Sequence, residues 1–325
     1  RTYTPAFLAA SAAKGWIPRV CAVSREGQSL GLVYMKEKTL AGFRTGLMYG
    51  DSILDNLVAA DSQHKEAVLS ASLGKLLSKP GVNGLRISIP PDGYEARVVR
   101  TLQESLPIEV SFRSISNHCV LPLAGTYDEF LESLGSRTRR NFRYYRRKFE
   151  HAQGVYVEHV DLPVFEQAAE QLGRRNVIGA SERGLQRALA ILSVVNRPLL
   201  TGLRSRDGAW LAVLGGWYTG KTAVIFMQMN NEPEYSDSSL ALVLRSYLIE
   251  QIIPRGVTGL VFWAGVGGPI AKYANQLPTR VAYLDKSSGA WRMVRRGVGH
   301  VLPYLPEPLA RFTDWVIAGP DVACG

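Results

Sequence analysis

The chain has 325 residues, 46% of them hydrophobic and 20% charged, with 38 Lys and Arg against 28 Asp and Glu, for a formal net charge of +10. That length and apolar content suffice for two compact domains with their own cores. No apolar run reaches the roughly 18 to 20 residues a membrane helix needs, and Cys21, Cys119 and Cys324 are too few and too scattered for a disulfide framework or a zinc site.

The cysteine usage points to a reducing compartment, and no signal-peptide pattern is visible. The positive surplus favours an anionic partner: a nucleotide-bearing cofactor, an acidic carrier protein, nucleic acid or an anionic membrane surface. The histidines are dispersed, and His118 beside Cys119 is the one His/Cys neighbour pair. It reads as a structural pair on a strand rather than a metal site.

In chain order, TPAFLAASAAKG (4–15) predicts a helix, and RVCAVSREG (19–27) and SLGLVYMKEK (29–38) predict strands across a Gly-Gln-Ser turn. FRTGLMYGD (43–51) gives a third β-rich run. Val68, Leu69, Leu73, Leu76 and Leu77 recur at helical spacing, Pro80-Gly81 breaks that helix, and the strand LRISIP (85–90) follows. Residues 91–105 predict another helix through Val98, Val99 and Leu102. EVSFRSISNHCVLPL (109–123) is a long β-rich run that bridges two halves.

The next stretch, TYDEFLESLGSRTRRNFRYYRRKFEHAQG (126–154), is strongly basic. Phe142, Tyr145 and Phe149 form an apolar stripe, and Arg139, Arg143, Arg146, Arg147 and Lys148 fill the remaining arc, so an amphipathic helix capped near Ser136 is expected. That arc is either a solvated cationic face or an anion-binding one. VYVEHV (155–160), helices near 164–172 and 185–195, and the strand LLTGLRS (199–205) lead to a hairpin, LAVLGGWY-TG-KTAVIFMQMNN (211–231). Leu240, Val243, Leu244, Tyr247, Leu248 and Ile252 then mark a helix with Asp237, Ser238 and Ser239 at its N-cap. Pro254 and Gly256 end it, a strand runs from Leu260 to Ala264, and a short helix follows a glycine pair.

Hairpin, helix, strand, helix thus occurs twice. Gly81-Val82-Asn83-Gly84-Leu85 leads into LRISIP as Gly256-Val257-Thr258-Gly259-Leu260 leads into VFWAG, each after a helix ending in a Pro-containing break. The pattern reads as a duplicated domain. Where a strand leads into a capped helix, the first turn offers unpaired N–H groups and the positive end of a dipole, a seat for phosphate at Asp237 to Leu240.

The early TPAFLAA, the basic segment through VYVEHV, the EPEYSDSSLALVL run after a strand, and GLVFWAGVGGPIAKYA together resemble the GNAT superfamily in its doubled form. The chain is similar to acetyltransferase-like proteins of bacterial polysaccharide biosynthesis and, more distantly, to the Fem-type aminoacyl transferases of peptidoglycan synthesis. The resemblance implies an α/β (mixed α+β) fold of two tandem GNAT-like acyl-CoA N-acyltransferase units, each a mixed central sheet flanked by helices. The expected boundaries are residues 1–112, residues 113–290 carrying the active site, and a tail of residues 291–325 packing on the domains.

The resemblance also implies roles. The pyrophosphate of an acyl-CoA would sit on Asp237, Ser238, Ser239 and Leu240, with pantetheine between splayed strands and the acyl oxygen on a backbone N–H near Met227 to Met229. Tyr273 would protonate the leaving thiolate, and Lys272 matches a basic residue common in the related proteins. Glu232, Glu234 or Asp237 could take the ammonium proton directly or through water. Bland readings exist for each: loop acids, an aromatic core contact and a snorkelling lysine. SDSSLAL departs from the usual pyrophosphate loop in having neither glycine nor a basic residue, and the coiled-coil arm of Fem-type enzymes has no counterpart.

Three functions remain open at this point. The first is an N-acyltransferase using acyl-CoA or an acylated carrier protein on a small amine acceptor, with Arg139, Arg143 and Arg147 facing the donor. The second is a transferase using aminoacyl-tRNA, whose phosphates the Arg-rich helix would contact. The third is a non-catalytic partner in polysaccharide or envelope assembly. No metal is expected, and the expected location is the cytoplasm or, through contact with anionic lipid, the inner-membrane surface.

Overall fold

The computed structural model describes residues 4–12, 15–40, 42–53, 57–115, 118–174, 182–231, 236–263, 265–286, 293, 304 and 306. Its elements are α1 (Pro5–Ser11), β1 (Trp16–Arg25), β2 (Gln28–Leu40), β3 (Phe43–Asp51), β4 (Val58–Ala60), α2 (Lys65–Ser78), β5 (Gly84–Ile89), α3 (Tyr94–Ser105) and β6 (Ile108–Ile115). These are followed by β7 (Cys119–Pro122), α4 (Tyr127–Ser133), α5 (Ser136–His151), β8 (Val155–Val157), α6 (Leu162–Arg174), α7 (Glu182–Leu192), β9 (Pro198–Arg204), β10 (Trp210–Thr219) and β11 (Thr222–Asn230). The last are α8 (Leu240–Ile252), β12 (Gly259–Phe262), β13 (Asn275–Gln276) and β14 (Thr279–Lys286), with short 3₁₀ turns at Ser236–Ser238, Ile253–Arg255 and Gly268–Tyr273.

Contacts divide the chain into two units. Unit N contains Ala12–Ser116 and Pro278–Ala323, and unit C contains Arg1–Ser11 and Asn117–Leu277. The sheet of unit N runs β1-β2-β3-β5-β14-β6, with β4 also on β2. That of unit C runs β13-β7-β12-β11-β10-β9-β8. β3 is parallel to β5 and β11 is parallel to β12, the strands on either side of a helix crossover. The neighbours β1-β2-β3 and β9-β10-β11 are antiparallel, as are β5-β14-β6 and β12-β7-β13. Six strands of each sheet therefore share one order and one set of directions, which is the duplication expected from the repeated segments.

The two repeats exchange a strand. In unit N the place between β5 and β6 is filled by β14, which follows all of unit C in sequence. In unit C the place between β12 and β13 is filled by β7, which precedes the rest of that sheet. The linear boundaries at 112 and 290 therefore do not divide the structure. EVSFRSISNHCVLPL supplies β6 to one unit and β7 to the other, and residues 279–286 return to unit N. The tail of residues 291–325 lies almost wholly outside the described residues.

Two helices also differ from expectation. α1 belongs to unit C, where the Phe7 ring meets Trp217 edge-on at 5.8 Å. The basic segment holds two helices, because Thr126 and Glu129 form a reciprocal capping box that starts α4 first. α5 then begins at Ser136 with Gly135 in the cap position.

Each unit has its own core. In unit N, Val68, Leu69, Leu73, Leu76 and Leu77 of α2 and Val98, Val99 and Leu102 of α3 pack on Leu85, Ile87 and Leu284. In unit C, α8 is apolar on nearly every side and is buried through Leu240, Leu242, Val243, Leu244, Leu248, Ile249 and Ile252. Among the described residues no helix is long and apolar enough to cross a membrane.

Candidate functional site

The parallel pair β11 and β12 is short. It runs from Thr222↔Gly259 to Ile225↔Phe262, and the Trp263 N–H still donates to the Ile225 carbonyl at 3.1 Å. β11 continues to Asn230 while β12 stops, so the strands part at Phe226. The parting coincides with a register shift in the β10–β11 pair, where Gly215 faces Met227 and Gly216 faces Ile225. Phe226 is the extra residue of a bulge, a device that bends a strand locally. Gly216 permits it, since a Cβ there would lie 1.8 Å from the Val224 carbonyl oxygen. Met227 is half-buried and Met229 is buried, both on the length of β11 that stays paired with β10 but is no longer covered by β12.

The counterpart in unit N is closed. β3 and β5 pair from Leu47↔Gly84 to Asp51↔Ser88, and the Ser52 N–H extends the ladder to the Ser88 carbonyl at 2.8 Å. The Ser52 hydroxyl also bonds the buried Glu95 carboxylate.

The parting in unit C leads to the start of α8. Asp237 and Ser238 lie in the 3₁₀ turn, Ser239 occupies the cap position, and Leu240 opens the helix. Ser239 caps differently from expectation, because its hydroxyl makes no capping bond. Its backbone is left-handed (φ 43°, ψ 52°), a costly conformation for a residue with a Cβ. The first N–H groups of α8 thus lack a side-chain acceptor from the cap residue. A basic residue reaches this turn from elsewhere: Lys148 Nζ donates to the Asp237 carbonyl at 3.2 Å.

α5 is held by one face. Phe142 and Phe149 are buried, and Phe142 meets Phe130 of α4 edge-on at 6.0 Å. The structure divides the expected cationic arc in two. Arg146 bonds Glu150 at 3.0 Å and Glu250 at 2.7 Å and lies 4.1 Å above the Tyr247 ring. Burial works against its charge, but the bonds to Glu250 and Glu150 outweigh that and raise its pKa. Arg146 is a clasp between α5 and α8. Arg139, Arg143 and Arg147 lie at four-residue intervals, Arg143 and Arg147 exposed, and among the described residues none of the three meets a carboxylate.

Tyr273 and Lys272 close the short helix expected after β12, which is a 3₁₀ helix, Gly268–Tyr273. The Tyr273 hydroxyl accepts the Gly135 N–H at 2.7 Å, and Lys272 Nζ lies 4.9 Å from the Tyr273 ring centroid. The Thr138 side chain foremost, then Lys272 and the Gly135 N–H, hold the phenol below its ordinary pKa. α5 therefore links two parts of the candidate site. Tyr273 is bonded at its N-terminus and the α8 turn at Lys148, about 20 Å along at 1.5 Å per residue. Glu232 and Glu234 lie outside the described residues. Among the described residues no group of three or more His, Cys, Asp or Glu could hold a metal.

Sequence reasoning missed Thr138, Gly135 and Arg245 of α8. The Gly-Ser-Arg-Thr stretch at 135–138 is a helix-start signal, but nothing in it points to a tyrosine 138 residues away.

Residues 136–272 match the family profile described as "Acetyltransferase (GNAT) domain". This part of the chain has the GNAT-type acyltransferase fold. Among solved structures, FemX aligns with a TM-score of 0.64 at 12% identity, covering 86% of this chain and 91% of FemX. The C-terminal domain of a lysylphosphatidylglycerol synthetase from Agrobacterium fabrum gives 0.54 at 12% identity, covering 91% and 90%. L-PGS from Bacillus licheniformis gives 0.53 at 10% identity, covering 89% and 86%. At such identities the likeness is one of fold, and it extends over both GNAT-like units. A comparison with curated proteins gave no match.

Proposed function

We propose that unit C is an N-acyltransferase that moves an acyl group from a thioester, an acyl-CoA or an acylated carrier protein, to an amine. The observation that carries this reading is the parting of β11 and β12 at Ile225 and Phe262 beside the N-terminus of α8. Two strands of one sheet opened at a bulge give an extended ligand arm access to unpaired backbone donors, and the helix terminus suits its phosphates. The closed pair in unit N supports assigning the chemistry to unit C alone.

In this mechanism the amine nitrogen attacks the thioester carbonyl, and a β11 backbone N–H near Met227 to Met229 stabilises the oxyanion. The C–S bond breaks, the thiolate takes a proton from Tyr273, and the amine proton passes to Glu232, Glu234 or Asp237 directly or through water. Tyr273 suits the acid role because its oxygen accepts the Gly135 N–H and so keeps its own proton to give. Its lowered pKa also brings it closer to that of a thiol, about 8.5. Lys148 at the α8 turn supplies the positive charge that SDSSLAL lacks, while the exposed Asp237 carboxylate opposes it.

A second reading rests on the row Arg139, Arg143 and Arg147. Guanidinium groups that are exposed (Arg143, Arg147) or half-exposed (Arg139) and meet no acid among the described residues suit the phosphates of an aminoacyl-tRNA donor or an anionic lipid surface equally well. Native mass spectrometry and thermal shift with acetyl-CoA, longer acyl-CoAs, acylated carrier protein and aminoacyl-tRNA test the two together. Binding of a thioester followed by acyl transfer to an amine supports the first reading, and binding of aminoacyl-tRNA alone replaces it by the second. Absence of turnover with every one of these donors would leave the fold serving assembly rather than chemistry.

A further inference from the structure

Arg245 projects from α8, a largely apolar helix, to the place where the strands part. Its Nε donates to Gln228 Oε1 at 2.9 Å, and its guanidinium lies 5.1 Å from the Phe262 ring centroid. Phe262 is the last residue of β12, and Gln228 lies on the length of β11 that β12 no longer covers. Gln228 Nε2 in turn donates to Asn230 Oδ1 at 3.0 Å, so the arginine's orientation is fixed through two residues on one face of β11.

Among the described residues, no acid answers the charge of Arg245. Burial lowers its pKa to about 10, which leaves it charged at neutral pH. Among the described residues it makes no ion pair, and the titratable group facing it is Cys119. Burial pushes that thiol up, so it stays neutral. Two other sequestered arginines are treated differently: Arg86 pairs with Asp285 at 2.8 Å, and Arg146 has both Glu150 and Glu250. A half-buried charge left without a counter-charge is costly, and an anion from outside the chain would offset that cost.

We infer that Arg245 anchors the carboxylate of the acyl acceptor, which is accordingly an amino acid or a peptide-like amine. With Nε committed to Gln228, the two terminal nitrogens present parallel N–H donors, the fork that a planar carboxylate fills with two bonds. One half-buried cation balances one negative charge. A phosphate dianion would leave the site with net negative charge beside the apolar Phe262 ring. This inference rests on the acyl-transfer reading for the word acceptor, while the carboxylate site itself stands on Arg245 and its neighbours.

The test is binding without turnover, which separates it from the fate of the transfer reaction. Glycine, L-alanine and an alanyl dipeptide are titrated against wild type at fixed ionic strength, each beside its C-terminal amide, with inorganic phosphate as a further probe. The expected result is at least about tenfold tighter binding of a carboxylate probe than of its amide, as a charge-assisted bidentate pair provides. Arg245→Gln should abolish that preference. Arg245→Lys, which keeps the charge and protects folding should the Gln variant not fold, should reduce it by removing the fork. Equal binding of acid and amide, no binding of any carboxylate, preferential binding of phosphate, or a preference that survives in both variants would each overturn the assignment.

Discussion

The Tyr273 hydroxyl accepts the backbone N–H of Gly135 at 2.7 Å, joining the end of the turn after β12 to the first turn of α5. The bond sets the phenol at the positive end of a helix dipole, beside Thr138 and Lys272, and all three lower its pKa. As the proton donor to a leaving thiolate, Tyr273 must be protonated, so turnover should fall as pH rises through a value below the ordinary phenol's, about 10. Tyr273→Phe is expected to fold, to bind its donor normally and to lose at least about tenfold in turnover, with the alkaline limb of the pH profile gone. Full activity with an unchanged limb would remove Tyr273 from the mechanism.

Gly135 tests the same contact from the other side. A Cβ at this position would lie 2.7 Å from the Tyr273 oxygen, which sits at the movable end of a side chain. Gly135→Ala should therefore displace the hydroxyl at little cost in stability. The expected outcome is a several-fold loss in turnover with donor affinity unchanged, read by steady-state kinetics beside a thermal melt.

The arginines of α5 should separate by role. Arg146→Ala breaks partly buried bonds to Glu150 and Glu250 and is expected to destabilise the protein by roughly 1.5 to 3 kcal/mol, measured by denaturant unfolding. Replacing Arg139, Arg143 and Arg147 together by Ala removes charges that meet no acid among the described residues, so folding should be unaffected. Donor binding should weaken and its dependence on salt should flatten. Donor affinity unchanged at low salt would make the row a solvated surface.

Unit N carries a pH-sensitive group of its own. Burial pushes Asp51 up to about 6, although the Ile53 N–H, donated at 2.8 Å, and the charge of Lys36 pull the other way. Its folded value lies above the roughly 3.9 of an unfolded aspartate, so its contribution is fully present below about pH 4 and is lost as pH rises through about 6. Asp51→Asn keeps an oxygen for Ile53 and removes the ionisation. It should raise the melting temperature at pH 7 and flatten the pH dependence between about 4 and 6; a lower melting temperature at pH 7 would contradict this.

Much of this was legible in the sequence. The stripes Val68 to Leu77, Phe142 to Phe149 and Leu240 to Ile252 announce their helices because 3.6-residue periodicity is a local property. The hairpin, helix, strand order of each repeat is set by short apolar runs and their breakers, Pro80-Gly81 and Pro254-Gly256, and it was enough to place a candidate seat at Asp237 to Leu240.

What the tertiary structure decided involves partners distant in sequence. β7 and β14 each complete the other repeat's sheet, and no local pattern in CVLP or TRVAYLDK says which neighbours they will take, since strand pairing is a non-local choice. The same holds for the individual side chains. In sequence, Arg146 and Arg147 are adjacent and alike, and only the approach of Glu250 makes one a clasp and leaves the other exposed. Arg245 reads in sequence as one polar residue among several on a largely apolar helix. That it is a half-buried charge at the parting of β11 and β12, with Gln228 to hold it and no acid among the described residues to neutralise it, follows from packing, because whether a charge is solvated or paired depends on what the rest of the chain brings beside it.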